Sequence, residues 1–343
     1  MSGHEVDAFI VTSSANRYYL SGFSGSAGTV VIGHGEALLF VDFRYTEQAC
    51  EQAPDFEVIL YRDELWTAVA NRLSAAGYKK VGFESKQVTF ASHGEMQKKI
   101  AASLVPIADL PEKQRAVKDK REIDRLKRGA GELDGAYEYI LGYTRPGMTE
   151  KDVALELETY LRRRGAEKAA FPYIVASGLR GAMPHGVASD KLISEGELVT
   201  IDFGAVYNRY ATDMTRTFAL GSTSRKHSQV YDLVNEARLK AAEGIKPGMT
   251  GREADALARS HLEKAGYGDY FGHGLGHGVG LETHELPLLS PRSEAVLEEG
   301  MIVTIEPGVY IPGWGGVRLE DMALITSNGL ELLTESPLGL III

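Results

Sequence analysis

A repeat inside the chain constrains its fold more than any other feature. Arg145-Pro-Gly-Met-Thr149 recurs as Lys246-Pro-Gly-Met-Thr250, 101 residues on. Each threonine is placed to cap a helix, and Thr250-Gly-Arg-Glu253 has capping-box spacing. Each following helix is expected to stop near a glycine, Gly165 or Gly266. Further on, Glu195-Gly-Glu-Leu-Val-Thr-Ile-Asp202-Phe-Gly204 parallels Glu299-Gly-Met-Ile-Val-Thr-Ile-Glu306-Pro-Gly308 at an offset of 104. Val-Thr-Ile followed by an acid reads as a buried strand ending in a carboxylate. Such a charge is costly unless it is paired or metal-bound. Two equivalent copies suggest a site on a pseudo-twofold axis.

Two more acids extend the pattern. Asp202 and Asp213 are eleven apart, and Glu306 and Glu320 fourteen apart. Both intervals fit an antiparallel strand pair, with turn regions at Asn208-Arg209 and at Gly313-Trp-Gly315-Gly316. Four carboxylates in one place cannot all ionise without compensating cations. Two divalent metals would supply four positive charges. The stretch His273-Gly-Leu-Gly-His277-Gly-Val-Gly-Leu-Glu-Thr-His284-Glu is too glycine-rich for a helix interior. It reads as a strand or loop whose backbone comes close to something. With His277 the acids make an oxygen and nitrogen ligand set without sulfur, which favours Mn, Co or Zn, with Mg as a further candidate.

Length and composition bound the rest. A chain of 343 residues, 44% hydrophobic and 24% charged, is long enough for two domains with cores. A net charge of −10 argues against nucleic acid as the main partner. The single Cys50 rules out an internal disulfide, fits a reducing cytoplasm and reads as buried or inert. No membrane-spanning segment or secretory leader is expected. The terminal Ile341-Ile342-Ile343 reads as a final buried strand.

Residues 6–12, 29–32, 37–42 and 81–84 read as strands, and 64–76 and 92–102 as helices. This alternation predicts an amino-terminal α/β domain over residues 1–112 and a second domain over residues 113–343. The basic stretch from Lys113 to Arg128 has Asp119, Glu122 and Asp124 interleaved, so it reads as a solvated linker running into a helix.

With its five ligand positions, their flanks and the repeat, the chain resembles the pita-bread metallopeptidases, the family of methionine aminopeptidase, aminopeptidase P, prolidase and creatinase. The likeness covers essentially the whole chain. The family order Asp, Asp, His, Glu, Glu is met by Asp202, Asp213, His277, Glu306 and Glu320. Asn16-Arg-Tyr-Tyr-Leu-Ser-Gly22 and Val41-Asp42-Phe-Arg44-Tyr45 resemble the amino-terminal domain of the proline-specific branch, which methionine aminopeptidases usually lack. Relatives generally begin with a helix before the first strand. Little precedes Val6 here, so a naturally short or clipped start is expected.

The resemblance implies an α/β (α+β) protein: a creatinase-like amino-terminal domain followed by a pita-bread catalytic domain. It implies cleavage between an N-terminal residue and proline, with two divalent ions per subunit, Mn before Co or Zn. Asp202 would chelate one metal, Asp213 and Glu320 would bridge the two, and His277 and Glu306 would complete the other shell. A water or hydroxide between the metals would be the nucleophile. Glu306 would also shuttle its proton to the leaving proline nitrogen. His185, in Ala182-Met-Pro-His-Gly186, and His273 and His284 correspond to histidines near substrate or the developing oxyanion. Arg318 would orient Glu320 or bind substrate. A cytoplasmic homodimer acting on short peptides with proline second is expected.

Dipeptide specificity needs a cation for the free proline carboxylate. Prolidases often carry an arginine just after the His-Glu-X-Pro segment, whereas Leu288 follows His284-Glu-Leu-Pro287 here. Arg292, four residues on, is the candidate substitute. The competing readings are a creatinase-like amidinohydrolase and a non-catalytic peptide-binding member. Intact ligands argue against both. The glycines at 272–280 do not form G-x-G-x-x-G, and Leu288 stands where a zincin would need its second histidine.

Overall fold

The computed structural model describes residues 5–343, which fall into two units dividing after Arg115. The expected short start lies outside the described residues.

The first unit is built on six strands in the order Glu57–Leu60, Glu36–Val41, Thr29–Gly33, Ala8–Val11, Lys80–Glu84, Ser103–Ile107. Thr29–Gly33 pairs antiparallel on both sides, and the other joins are parallel. Ala8 and Ile10 pack on one side with Leu38, Phe40, Val69 and Met96. Phe9 and Val11 pack on the other with Val30, Leu39, Phe23 and Ala49. Both faces are covered, which is why these strands read as continuous apolar runs.

Several local features depart from the expectations. The helix expected over 92–102 runs Phe90–Lys99, because Ile100 is already extended and leads into Ser103–Ile107. That strand contains Pro106, which an edge position tolerates. Ser14–Ser21 is a helix, capped by the Ser13 side chain. It places Asn16 and Arg17 inside the fold. Asn16 Nδ2 donates to Glu84 and Glu112 at 2.6 and 2.7 Å, and Arg17 donates to the Gly25 and Gly28 carbonyls.

Three burial expectations are corrected. The basic stretch is not uniformly solvated: Arg115 and Lys118 are buried, the first donating to Asn16 Oδ1 at 2.7 Å. Cys50 is exposed rather than buried, since the helix Thr46–Gln52 turns Ala49 inward instead. The final isoleucines form one parallel bridge, Ala219 with Ile342, and Ile342 is exposed. Among the described residues no helix is long and apolar enough to cross a membrane.

The second unit realises the repeat. Helix pair Lys120–Tyr143 and Glu150–Arg163 is echoed by Arg225–Gly244 and Gly251–Lys264. Thr149 and Thr250 both close capping boxes, with Asp152 and Glu253 as partners. Gly147 and Gly248 hold φ of 88° and 89°, a left-handed conformation that favours glycine, so both repeats turn the same way.

Each helix pair accompanies an antiparallel sheet. The first runs Met214–Ala219, Leu198–Phe203, Ile174–Ser177. The second runs Glu285–Leu289, Gly276–Gly278, Ile302–Ile305, Asp321–Thr326, Gly329–Leu332. In the first half the ribbon Ala205–Tyr207 with Tyr210–Ala211 closes through Asn208 and Arg209, both at positive φ. In the second half Gly308–Ile311 pairs with Gly315–Arg318. The turn there is therefore Pro312 to Trp314, because Gly315 and Gly316 already pair with Ile311 and Tyr310. The Glu320 amide donates to the Thr215 carbonyl at 3.0 Å and joins the two halves where the acids meet.

Candidate metal centre

The glycine-rich segment is a strand squeezed between two others. A Cβ on Gly276 would stand 2.0 Å from the Thr304 carbonyl oxygen, and one on Gly278 would stand 2.1 Å from that of Leu286. What the backbone approaches is thus neighbouring backbone. This packing fixes His277, whose amide donates to Thr304 Oγ1 at 3.0 Å. Its Nδ1 donates to the Gly278 carbonyl at 3.0 Å. That leaves Nε2 facing Glu306 Oε1 at 3.4 Å and Asp213 Oδ2 at 3.8 Å. Burial pushes His277 down to about 4, so the ring is neutral near pH 7 and Nε2 keeps its lone pair.

Ligand atoms of Asp213, His277 and Glu320 all lie within 4.8 Å of one another. Burial first, then Glu320, Asp202 and Glu306, raises the Asp213 carboxyl well above its usual range. Burial, then Glu306 and Asp202, does the same to Glu320. Burial pushes Glu306 up to about 8. Asp202 Oδ2 accepts from Arg318 Nη2 at 2.5 Å, while its buried Oδ1 has no hydrogen-bond partner among the described residues. A buried orphan oxygen beside three mutually repelling acids and a neutral imidazole fits a divalent cation site.

A cavity of about 500 Å³ opens onto these groups. All five expected ligands line it, with His185, His273, His284 and Arg318. Phe171, Pro172, Ile174, Val187 and Leu288 supply an apolar wall. Arg292 is exposed on the turn after Glu285–Leu289 and is not among the lining residues.

His273 is more engaged than its position in the sequence suggests. Its Nδ1 donates to the Gly274 carbonyl at 2.7 Å. Burial pushes it down to about 4, so Nε2 accepts from the Tyr310 hydroxyl at 2.9 Å. Arg318 Nη1 in turn donates to Tyr310 at 2.8 Å, and Arg318 Nε donates to Thr215 Oγ1 at 3.1 Å. Thr215 then donates to Glu320 Oε2 at 2.7 Å. Arg318 therefore reaches Asp202 directly and Glu320 through Thr215. His284 lies beside His277, with ring centroids 4.2 Å apart and the rings tilted by 42°, and burial lowers its pKa.

Sequence reasoning missed Tyr310, Thr215 and the groups that brace the loops. Tyr310 sits in the repeat-derived hairpin, two residues after Gly308, which was the one available signal. Asp255 accepts from the Leu275 amide at 3.0 Å and pairs with Arg259, which donates to the Phe271 and His273 carbonyls. Nothing local marks either residue.

Residues 124–327 match Metallopeptidase family M24, and residues 1–117 match the Creatinase/Prolidase N-terminal domain. An uncharacterised peptidase of Bacillus subtilis (strain 168) is 49% identical over 98% of this chain and 96% of its own. The structure of an Xaa-Pro dipeptidase from Bacillus anthracis has a TM-score of 0.98 at 47% identity, covering 100% of this chain and 96% of that one. That of an X-Pro aminopeptidase from Thermotoga maritima has a TM-score of 0.91 at 36% identity, covering 98% of each. The converging carboxylates and imidazole, their pita-bread scaffold and these matches lead to one conclusion: the chain belongs to metallopeptidase family M24, its catalytic domain preceded by a creatinase/prolidase amino-terminal domain.

Proposed function

We infer that this protein is a metal-dependent exopeptidase that hydrolyses the bond between an N-terminal residue and proline. The observation that carries this is one cavity with the acid and imidazole cluster on one side and a wall of Phe171, Pro172, Ile174, Val187 and Leu288 on the other. Proline needs such a wall, and its nitrogen lacks a proton, so it must be protonated to leave. Relatives named for Xaa-Pro dipeptidase and X-Pro aminopeptidase activity support the assignment.

Asp202, Asp213, His277, Glu306 and Glu320 would hold two divalent ions, with Mn the first candidate from the donor set and Co or Zn next. Bound there, the ions would lower the pKa of a water and polarise the scissile carbonyl. Glu306 accepts the proton of the attacking water and hands it to the proline nitrogen. His185 and His284 donate to the developing oxyanion. His273 contributes through Tyr310 and Arg318, because both its ring nitrogens are occupied by protein partners. Arg318 orients Asp202 and, through Thr215, Glu320.

The lining of the cavity holds one guanidinium, Arg318, and it is committed to Asp202, Tyr310 and Thr215. Proline is therefore read mainly by its ring, and both Xaa-Pro and longer Xaa-Pro peptides are substrates, with Arg292 assisting the dipeptides. A homodimer in the cytoplasm is the working state, as the family resemblance suggests and the lone exposed thiol Cys50 suits. The test compares turnover of Xaa-Pro and Xaa-Pro-Xaa by chelated protein resupplied with Mn, Co or Zn. Turnover of both, restored best by Mn, is expected. Failure with every metal removes the activity, and cleavage of the dipeptide alone marks a strict dipeptidase.

A further inference from the structure

Glu150 is the first residue of the helix Glu150–Arg163 and is completely buried. It does not line the cavity. A buried carboxylate at a helix start is favoured by the helix dipole, but it still needs partners. Glu150 Oε1 accepts from the Ser177 amide and hydroxyl at 2.8 and 2.9 Å. Its Oε2 accepts from Arg180 Nε at 2.9 Å, from the Ser189 amide at 3.1 Å and from the Ser189 hydroxyl at 2.6 Å. One side chain thus fastens both ends of the segment 177–189.

That segment carries Pro184, His185 and Val187 into the cavity wall. It is held against the second half at two other points. Gly181 and Gly316 meet backbone to backbone: a Cβ on Gly316 would stand 2.1 Å from the Gly181 oxygen. The Pro184 carbonyl accepts from Arg318 Nη1 at 3.2 Å. Arg180, having met Glu150, also donates to the Val187 carbonyl at 2.7 Å.

We propose that Glu150 is a positioning residue for the reaction, setting the placement of His185 and its neighbours against substrate by clamping both ends of the segment 177–189. This rests on the proposed Xaa-Pro hydrolysis. A gap of 1 Å in such a placement costs about 10²-fold in rate. Glu150→Gln keeps the shape but replaces an acceptor oxygen by an NH₂ group, which cannot accept from Ser189 or Arg180.

The experiment uses full-length protein and reads metal content, melting temperature and steady-state kinetics on one Xaa-Pro dipeptide. Glu150→Gln should lower kcat/KM by about 10²-fold with metal content unchanged. Combined with His185→Ala it should lose little beyond the larger single loss, because both changes act through the same wall. Ser189→Ala, which removes one donor to Glu150 and the acceptor of the Lys191 amide but leaves the carboxylate in place, should show a smaller loss with the same non-additivity. Losses that multiply in the double variants, a loss of metal matching that of His277→Ala, or full activity of both variants would each overturn the proposal. If Glu150→Gln fails to fold, the Ser189→Ala cycle decides. The wild type's turnover of the dipeptide judges the activity itself, so failure there is told apart from failure of the clamp.

Discussion

The two halves of the catalytic unit share a plan and divide the chemistry unequally. In the first half, a strand pair and a two-residue ribbon turn present Asp202 and Asp213. In the second, a longer ribbon presents Glu306 and Glu320 with Tyr310 and Arg318 between them. The first sheet has Ile174–Ser177 beside its acid strand. The second has Gly276–Gly278 and Glu285–Leu289, and so carries His277 and borders His284. Repetition therefore brings four carboxylates together cheaply, while the imidazoles and the guanidinium come from where the copies diverged. The glycines mark that divergence: Gly276 lets its strand lie close against Ile302–Ile305, and Gly278 lets it lie close against Glu285–Leu289.

Removing one acid from each half has the largest expected effect. Asp213→Asn and Glu320→Gln should be equally damaging if the two copies hold the metals jointly. Each should lose more than the about 10²–10³-fold that one oxyanion donor is worth. Kinetics and metal analysis on both variants check this. Near-normal turnover in either, or in chelated wild type, would rule out a jointly held pair of ions.

A second test sets an imidazole of one half against that of the other. His277→Ala should lower metal occupancy. His185→Ala should keep the metals and lose about 10²–10³-fold in turnover, and His284→Ala should behave like it. Equal metal loss in His185→Ala and His277→Ala would mean that the first half, too, supplies an imidazole ligand.

How much of this was legible in the sequence follows from the same asymmetry. Asp202, Glu306 and their strands were readable because Val-Thr-Ile-acid occurs twice with matching flanks. His277 was readable because glycine crowding signals close backbone packing, although the partners of that packing, the strands Glu285–Leu289 and Ile302–Ile305, could not be seen. Tyr310, Thr215, Glu150 and Asp255 were not readable as site residues. Each is a common residue whose role is set by a distant partner, as when Thr215 meets Glu320 across the two halves. Burial of Arg115 and Lys118 escaped for a similar reason, since a basic run looks solvated until its partners Asn16 and Glu285 are placed.

Protonation offers a gentler probe of the shared site. In metal-free protein the Glu306 carboxyl is raised from 4.5 to about 8 by burial, and Asp213 and Glu320 are raised as well. For an acid whose folded pKa exceeds its unfolded one, stability is complete below the unfolded value and is lost as pH rises through the folded value. Chelated protein should therefore melt at a lower temperature at pH 8 than at pH 5, and added metal should narrow the difference. Metal binding at pH 7 should release protons, measured by calorimetry in buffers of different ionisation enthalpy. No release would mean that the acids are already ionised, which their burial and then their mutual repulsion oppose.

The smallest effect concerns the mouth of the cavity, where neither half supplies a dedicated cation. Arg318 is the only guanidinium among the lining residues and is committed to Asp202, Tyr310 and Thr215. A dipeptide's carboxylate must then find its counter-charge outside the lining. Arg292 follows Leu288 and Ser290, both of which line the cavity, and its side chain is exposed. An exposed ion pair is worth about 0–1 kcal/mol. Arg292→Ala should accordingly raise KM for Xaa-Pro by no more than about five-fold. An Xaa-Pro-Xaa tripeptide, whose carboxylate lies a residue further out, should be nearly unaffected. Steady-state kinetics on the matched pair at two salt concentrations decide it, because an exposed pair weakens as salt rises. Equal changes on both substrates would remove Arg292 as the anchor. A dipeptide KM indifferent to both the substitution and salt would place recognition wholly in the apolar wall.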